Sequence, residues 1–317
     1  MGLSDGLFPN DILALLITYV YVFAVIYGSL MMISLAGGPT LIPSLVNQEQ
    51  LETANAMETL SFTLSGVIGP PLAGLLIVWS GPANVVIIDA LSYFVFAAAL
   101  ASISVRATSP SSSGEGGASF RMMDAVRLMV GNKVLLSTTL MFMAFNVGLG
   151  ALTVYMPLVS NQIAPGSPQV FGLLLGAMAL GEVISAWLAG SMAIRMTLGT
   201  RIAVAQVLSG LSVLLLLLDS IFWAAAIGLF LLGFFSAPLT IWAQTLRMQV
   251  IPAELRGRTF SLLRTLMQGA TPLGGALAAL LLPVLGIPMT IALSSLAIGA
   301  PGVAGMRTPE LVRAGAD

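Results

Sequence analysis

Long apolar stretches alternate with short polar breaks from one end of the chain to the other. Nine of the stretches are long enough as helices to cross the roughly 30 Å hydrocarbon core of a bilayer, which takes about 20 residues. They run Ile12–Ala36, Thr53–Trp79, Val85–Val105, Val134–Val159, Val170–Ala193, Ile202–Leu218, Ile221–Leu246, Thr259–Leu285 and Pro288–Gly305. The breaks between them carry turn residues: Ser80-Gly81-Pro82, Ala164-Pro165-Gly166-Ser167-Pro168, Asp219-Ser220 and Gly286-Ile287-Pro288. Short connections of this kind make consecutive helices antiparallel neighbours.

The longest break, Arg106–Lys133, divides three predicted spans from six. It opens on the low-complexity run Thr108-Ser109-Pro110-Ser111-Ser112-Ser113-Gly114-Glu115-Gly116-Gly117, a flexible polar linker. Its second part, Phe120–Val130, puts Phe120, Met123, Val126, Met129 and Val130 on one side of a helix and Arg121, Asp124 and Arg127 elsewhere. That pattern suits a helix lying at the membrane surface, or equally a solvated loop helix. The expected organisation is therefore a three-helix bundle over 1–105, a linker with a short amphipathic helix over 106–133, a six-helix bundle over 134–306 and a polar tail over 307–317.

Composition agrees with an all-α membrane protein. Hydrophobic residues make up 57% of the chain and charged residues 8%, against roughly 25% charged in a soluble domain whose surface must face water. A mean hydropathy of +1.00 makes the lipid bilayer the main partner of the surface. The net charge of −1 and the lack of a long basic run exclude a nucleic-acid binder, which needs a concentrated cationic footprint. With no cysteine and no histidine, disulfides, thiolate chemistry, haem ligation and the usual zinc or copper sites are also excluded, and neither a cofactor nor a metal is expected.

Lysine and arginine accumulate in cytoplasmic loops because they resist translocation. If the nine spans alternate in direction, all twelve basic residues fall on one side: Arg106, Arg121, Arg127, Lys133, Arg195, Arg201, Arg247, Arg256, Arg258, Arg264, Arg307 and Arg313. This predicts a multi-pass protein of the plasma, or inner, membrane with a cytoplasmic C-terminus and an N-terminus outside. An outside start with Asp5 and Asp11 and no basic signal-peptide region is an unusual way for a complete protein to begin, and a fragment is the expected explanation.

Two segments in different halves look alike. Pro43-Ser44-Leu45-Val46-Asn47-Gln48-Glu49-Gln50-Leu51 leads through Ala54-Asn55-Ala56 to Gly69-Pro70-Pro71-Leu72-Ala73-Gly74. Val250-Ile251-Pro252-Ala253-Glu254-Leu255-Arg256-Gly257-Arg258 leads to Gly269-Ala270-Thr271-Pro272-Leu273-Gly274-Gly275. Together with Asp89-Ala90-Leu91-Ser92-Tyr93-Phe94, these segments resemble the major facilitator superfamily, in its bacterial branch of enterobactin exporters and macrolide efflux proteins. The resemblance implies parallel repeats around a midplane site. It equates the nine spans with helices four to twelve of a twelve-helix order, leaving three absent. It also finds a weak counterpart of the family's charged loop signature at Gly190 to Arg201, with Ile194 in the usual aspartate place.

The resemblance and the residues together nominate sites. Gly69, Pro70, Ala73 and Gly74 resemble the family's antiporter motif, which generic close packing would also explain. An ionisable group inside a span costs roughly 2.5 to 3.5 kcal/mol at a helix centre and so needs a reason. Glu182, midway along its span, is the first choice for a proton-coupling residue and Asp89 the second, with a static hydrogen bond or helix-start role as the plain alternatives. Glu49, Glu254, Arg256, Arg258 and Arg195 are candidates for a cytoplasmic gate, with a plain topogenic role the alternative for Arg256 and Arg258, while Glu58 is expected to favour its helix dipole or meet an arginine and Arg264 to snorkel. Asn146, Tyr155, Gln244 and Gln268 are cavity candidates, with Trp242 more readily an interface anchor.

The expected function is proton-coupled export of an amphipathic small molecule of the drug or siderophore class, by a chain whose truncation leaves it open to be inactive. The alternatives are a non-transporting structural or regulatory remnant and a multi-pass membrane enzyme. Against the enzyme, no loop carries clustered carboxylates or a phosphate-cradling glycine motif.

Overall fold

The computed structural model describes residues 17–19, 21–23, 25–28, 30, 40–102, 122–191, 195–218 and 221–315. Among these described residues every regular element is helical. A 3-10 turn at Gln48–Gln50 leads into α1 (Leu51–Ser80), followed by α2 (Pro82–Ser102), α3 (Met122–Gly131), α4 (Lys133–Ile163) and α5 (Pro168–Ser191). Then come α6 (Leu198–Val213, extended by a 3-10 turn at Leu214–Leu217), α7 (Phe222–Val250), α8 (Arg256–Met306) and the one-turn α9 (Pro309–Val312).

The turn residues act as their chemistry requires. The Asn132 side chain caps α4, accepting from the amides of Val134 and Leu135 at 3.0 and 3.1 Å. Thr197 caps α6, its hydroxyl accepting from the Thr200 amide at 3.3 Å. The long α8 is two helices in all but hydrogen-bond continuity, because Gly286 sits at φ 75°, ψ 173°, a conformation that L side chains rarely enter. Its arms, 256–285 and 287–306, correspond to two predicted spans.

Six helical stretches among the described residues are long and apolar enough to cross a membrane. The longest, Ala253–Met306, contains the Gly286 break, so the six accommodate seven of the predicted spans. The predicted span Thr53–Trp79 lies on α1, whose 30 residues reach about 45 Å. Most of Ile12–Ala36 lies outside the described residues, as do Arg106, Arg121 and the low-complexity linker.

Helix α4 packs against α8, α5 against α7, and α6 against both α7 and α8. Helix α1 lies across α5 and α7, and α2 packs on α1. Tyr155, Met156, Leu239 and Phe260 are buried in the centre of the bundle, while Trp79, Phe94, Trp223, Leu280 and Val284 are exposed, as lipid-facing side chains must be. The described basic residues lie at or near α3, the start of α4, the α5–α6 link, the α7–α8 connection and the end of α8, all at one end of the bundle. Lys133 beside Glu310 and Arg247 on the Thr138 carbonyl tie those places together.

Helix α3 departs from the expected single apolar side. Ala125 is buried, and Leu128 and Met129 pack on the bundle, whereas Met122, Met123 and Val130 are exposed. The helix is apolar on two sides because it must satisfy the bundle as well as its surroundings, which a one-sided reading of Phe120–Val130 missed.

Candidate functional site

Along the first half of α1, the polar residues Glu52, Thr53, Asn55, Glu58 and Thr63 meet helices beyond the linker. At the basic end the Glu52 carboxylate accepts from Arg201 Nη1 at 3.2 and 3.3 Å and from the Trp242 indole at 2.7 Å. The same guanidinium lies 5.8 Å from the centre of the Trp242 ring, so three groups from α1, α6 and α7 close on one another. One turn on, Asn55 Nδ2 donates to Thr245 Oγ1 at 3.0 Å and contacts Met248 Sδ at 3.4 Å. Residues 52 and 55 thus make a polar seam between the two sides of the linker.

Along α5 the seam runs deeper. The Thr53 hydroxyl donates to the Gly190 carbonyl at 3.2 Å, and Thr63 donates to Glu182 Oε2 at 3.4 Å. The ten residues from Thr53 to Thr63 carry α1 roughly 15 Å inward, about half the thickness of a hydrocarbon core. Beside Glu182, α5 and α7 meet backbone to backbone. A Cβ on Gly233 would strike the Met178 carbonyl and come within 3.2 Å of the Glu182 amide, and one on Gly181 would strike the Phe230 carbonyl. These glycines bring the helices close where lipid supplies no hydrophobic drive to pack them.

A second charged group lies between α1, α7 and α8. Glu58 and Arg264 are half-buried and interact electrostatically, and Arg264 also faces Arg247. Arg247 is only 2% exposed, stacks its guanidinium 4.6 Å from the Phe142 ring and donates to the Thr138 carbonyl at 3.1 Å. Arg264 is therefore half-buried within electrostatic reach of Glu58 and Arg247.

The gate residues expected from sequence are not the ones that meet. Glu49, Glu254, Arg258 and Arg195 are exposed and take part in none of the three described ion pairs, and the half-buried Arg256 donates to the Met248 carbonyl at 3.4 Å. They lie at helix ends, and one turn inward Glu52 and Arg201 form the described ion pair between α1 and α6. Glu52 is not among the sequence candidates and Arg201 enters there only as one of the basic residues and as the end of the weak loop signature, although the helical spacing of residues 52, 55 and 63 carried the signal.

The remaining candidates scatter. Asp89 is exposed on α2. Gly69, Pro70, Ala73 and Gly74 all lie on α1, and a Cβ added at Gly69 would meet nothing within 4 Å among the described residues. Tyr155 is wholly buried between α4 and α8, its hydroxyl on Ser294 Oγ at 3.2 Å, so it faces the bundle interior and not a cavity beside the seam. Asn146 is bound to the Met267 carbonyl at 3.0 Å, Gln268 is exposed, and Gln244 is buried with its amide nitrogen unpartnered. Trp242 serves the seam through its indole N–H. No cluster of three or more carboxylates that could hold a metal exists among the described residues.

A family model described as a transmembrane secretion effector matches residues 11–314. An uncharacterized MFS-type transporter of Sinorhizobium fredii is 26% identical over 251 residues, which cover 78% of this chain and 61% of its own length. The enterobactin exporter of Salmonella choleraesuis is 30% identical over 253 residues, covering 78% of this chain and 58% of its own, and the exporter of Salmonella typhi matches to the same extent. The chain thus spans about three fifths of the length of these curated relatives. A match over residues 11–314 on a helical fold of long apolar helices makes this chain a member of the transmembrane secretion effector family of major facilitator transporters, a multi-pass membrane protein and not an enzyme.

Proposed function

We propose that the chain belongs to a proton-coupled exporter of an amphipathic small molecule, with Glu182 as the proton carrier and the seam of α1 against α5 and α7 as the moving surface. The observation that carries this reading is the Thr63–Glu182 contact, which joins a mid-depth carboxylate on one side of the linker to a helix on the other. Protonation of Glu182 removes a charge from that contact and so changes the free-energy difference between closed and open seams. A proton taken up from outside then favours opening toward the cytoplasm, and its release there resets the cycle.

In this reading the nine spans are helices four to twelve of the family order, with 1–105 contributing to the first bundle and 134–306 forming the second. The basic end is cytoplasmic by the positive-inside rule. Glu52, Arg201 and Trp242 then hold the cytoplasmic side shut in the conformation described. Gln244, with its unpartnered buried amide, is the best-placed of the polar candidates to meet cargo near the seam. The enterobactin exporters among the relatives favour a siderophore-like cargo, and the Gly69, Pro70, Ala73, Gly74 motif favours exchange over uniport.

The test is efflux of a fluorescent amphipathic substrate from proteoliposomes under an imposed proton gradient, for the parent and Glu182→Gln. Gradient-driven efflux should disappear in the variant while substrate counterflow at equal pH persists. Unchanged gradient dependence in Glu182→Gln would remove Glu182 from the coupling role.

A further inference from the structure

After α8 the chain turns back across the basic end. The amides of Arg307 and Thr308 bond to the carbonyls of Ala304 and Gly305 at 3.1 Å each, and α9 then drops Leu311 into the bundle, where it is fully buried. Leu311 lies so close over Gly199 that a Cβ there would strike its carbonyl, and its own side chain would come within 3.2 Å of a Cβ on Gly305. The backbone of the same segment is bound to the start of α6. Thr197 Oγ1 and Thr200 Oγ1 donate to the Val312 carbonyl at 2.5 and 3.3 Å, and the Gly199 amide donates to the Ala314 carbonyl at 3.2 Å. A further contact reaches α4, where Lys133 Nζ donates to Glu310 Oε1 at 2.5 Å.

The residues held this way directly precede Arg201. The Arg201 Nε donates to the Met196 carbonyl at 2.7 Å, which leaves Nη1 for Glu52. Arg201 therefore reaches across the seam from a platform, residues 196–200, whose hydroxyls and amide are fastened to the segment 308–315. An arginine side chain has enough rotamer freedom to lose a fixed partner unless its base is held.

We infer that residues 308–315, anchored by Leu311, are a positioning strap for the Arg201–Glu52 contact, acting through the start of α6. The inference rests on the reading of that contact as the gate. The strap packs on α4, α6 and α8, and its described hydrogen bonds and ion pair go to α4 and the start of α6, so it bears on where Arg201 stands and not on Glu52 directly.

The chain has no cysteine, so Glu49→Cys and Met196→Cys, both at exposed positions, give a spin-label pair across the seam on an otherwise label-free background. Distance distributions are measured for this pair alone and with Arg201→Gln, Leu311→Asp, both together, Glu310→Lys, and Glu310→Lys with Lys133→Glu. Arg201→Gln should raise the long-distance population severalfold, and Leu311→Asp should raise it at least half as far. The double variant should equal Arg201→Gln alone, because both changes remove the same contact. Glu310→Lys should give a smaller rise that Lys133→Glu reverses.

A folded Leu311→Asp with unchanged distances, beside a widened Arg201→Gln, overturns the strap and leaves the gate standing. Additive effects in the double variant also overturn it, since the strap would then act elsewhere. Unchanged distances in Arg201→Gln itself remove the gate and the strap together. If Leu311→Asp does not fold, the charge exchange at residues 133 and 310, on exposed side chains, decides the matter by whether distances widen and recover.

Discussion

Replacing Glu52 by glutamine isolates the ionic part of the seam. Glutamine keeps the length of the side chain and an acceptor oxygen for the Trp242 indole, now at 2.7 Å, but loses the charge that faces Arg201 at 3.2 and 3.3 Å. The two side chains are 12% and 25% exposed, so the pair lies between a solvated surface bridge and a buried one. Exposed pairs contribute about 0–1 kcal/mol and hydrogen bonds to charged groups about 1.5–3 kcal/mol. A loss of about 1–2 kcal/mol follows, with the Arg201–Trp242 stacking retained.

At about 1.4 kcal/mol per tenfold, that loss raises the open-to-closed ratio roughly 5- to 30-fold. Thr245→Cys reports it, because Thr245 is 2% exposed and bonded to Asn55 across the seam, and no other cysteine competes for reagent. When opening is fast relative to labelling, the rate of modification by a water-soluble maleimide follows the open population. The rate in Glu52→Gln should rise by that factor, and adding Arg201→Gln should raise it little further. A change under about twofold, with full reactivity after denaturation, would refute the assignment of seam closure to this pair, because the estimate begins near 1 kcal/mol.

Gly233→Ala should lower the melting temperature in detergent, since its Cβ strikes the Met178 backbone and overpacking costs about 1–3 kcal/mol. Gly69→Ala, with nothing within 4 Å among the described residues, should melt with the parent; a comparable fall would mean that another helix packs there. Gly286→Ala should cost about 1–3 kcal/mol, read as a lower denaturation midpoint, because the φ of 75° and ψ of 173° do not suit a side chain. The Lys133 ammonium holds the Glu310 carboxyl below its ordinary value of 4.5, so this contact contributes above that value and is lost as pH falls through the lowered one. The spin-label distances should accordingly be the same at pH 7 and pH 5.5 and widen only under more acid conditions, whereas widening by pH 5.5 would assign the strap's pH response to another group.

Much of the helix plan was legible because a bilayer leaves the backbone few choices. Every amide and carbonyl crossing hydrocarbon must be satisfied within the segment, so long apolar runs become helices and turn residues end them. Ser80-Gly81-Pro82 separates α1 from α2, and Gly286-Ile287-Pro288 breaks α8, as their residues predict. Glu182 stood out for a related reason, as the only carboxylate midway along an apolar run. The Glu52–Arg201 pair was not legible because helix-end charges at Glu49, Glu254, Arg256 and Arg258 look equally suited to pairing in one dimension. Tyr155 and Asn146 were named as cavity groups, yet each has a partner on α8 that only the packing of α4 against it supplies.

The sequence by itself determined that this is a helical membrane protein and roughly where its described helices break, since hydropathy and turn chemistry act locally. Only the tertiary structure decided that Glu52 meets Arg201, 149 residues away, that Thr63 meets Glu182, and that Leu311 lies under the start of α6. An apolar helix presents lipid-compatible side chains all round, so its pattern does not say which face meets a neighbour. That choice comes from glycine-sized gaps and from polar side chains long enough to reach across them, and both exist only once the helices are packed.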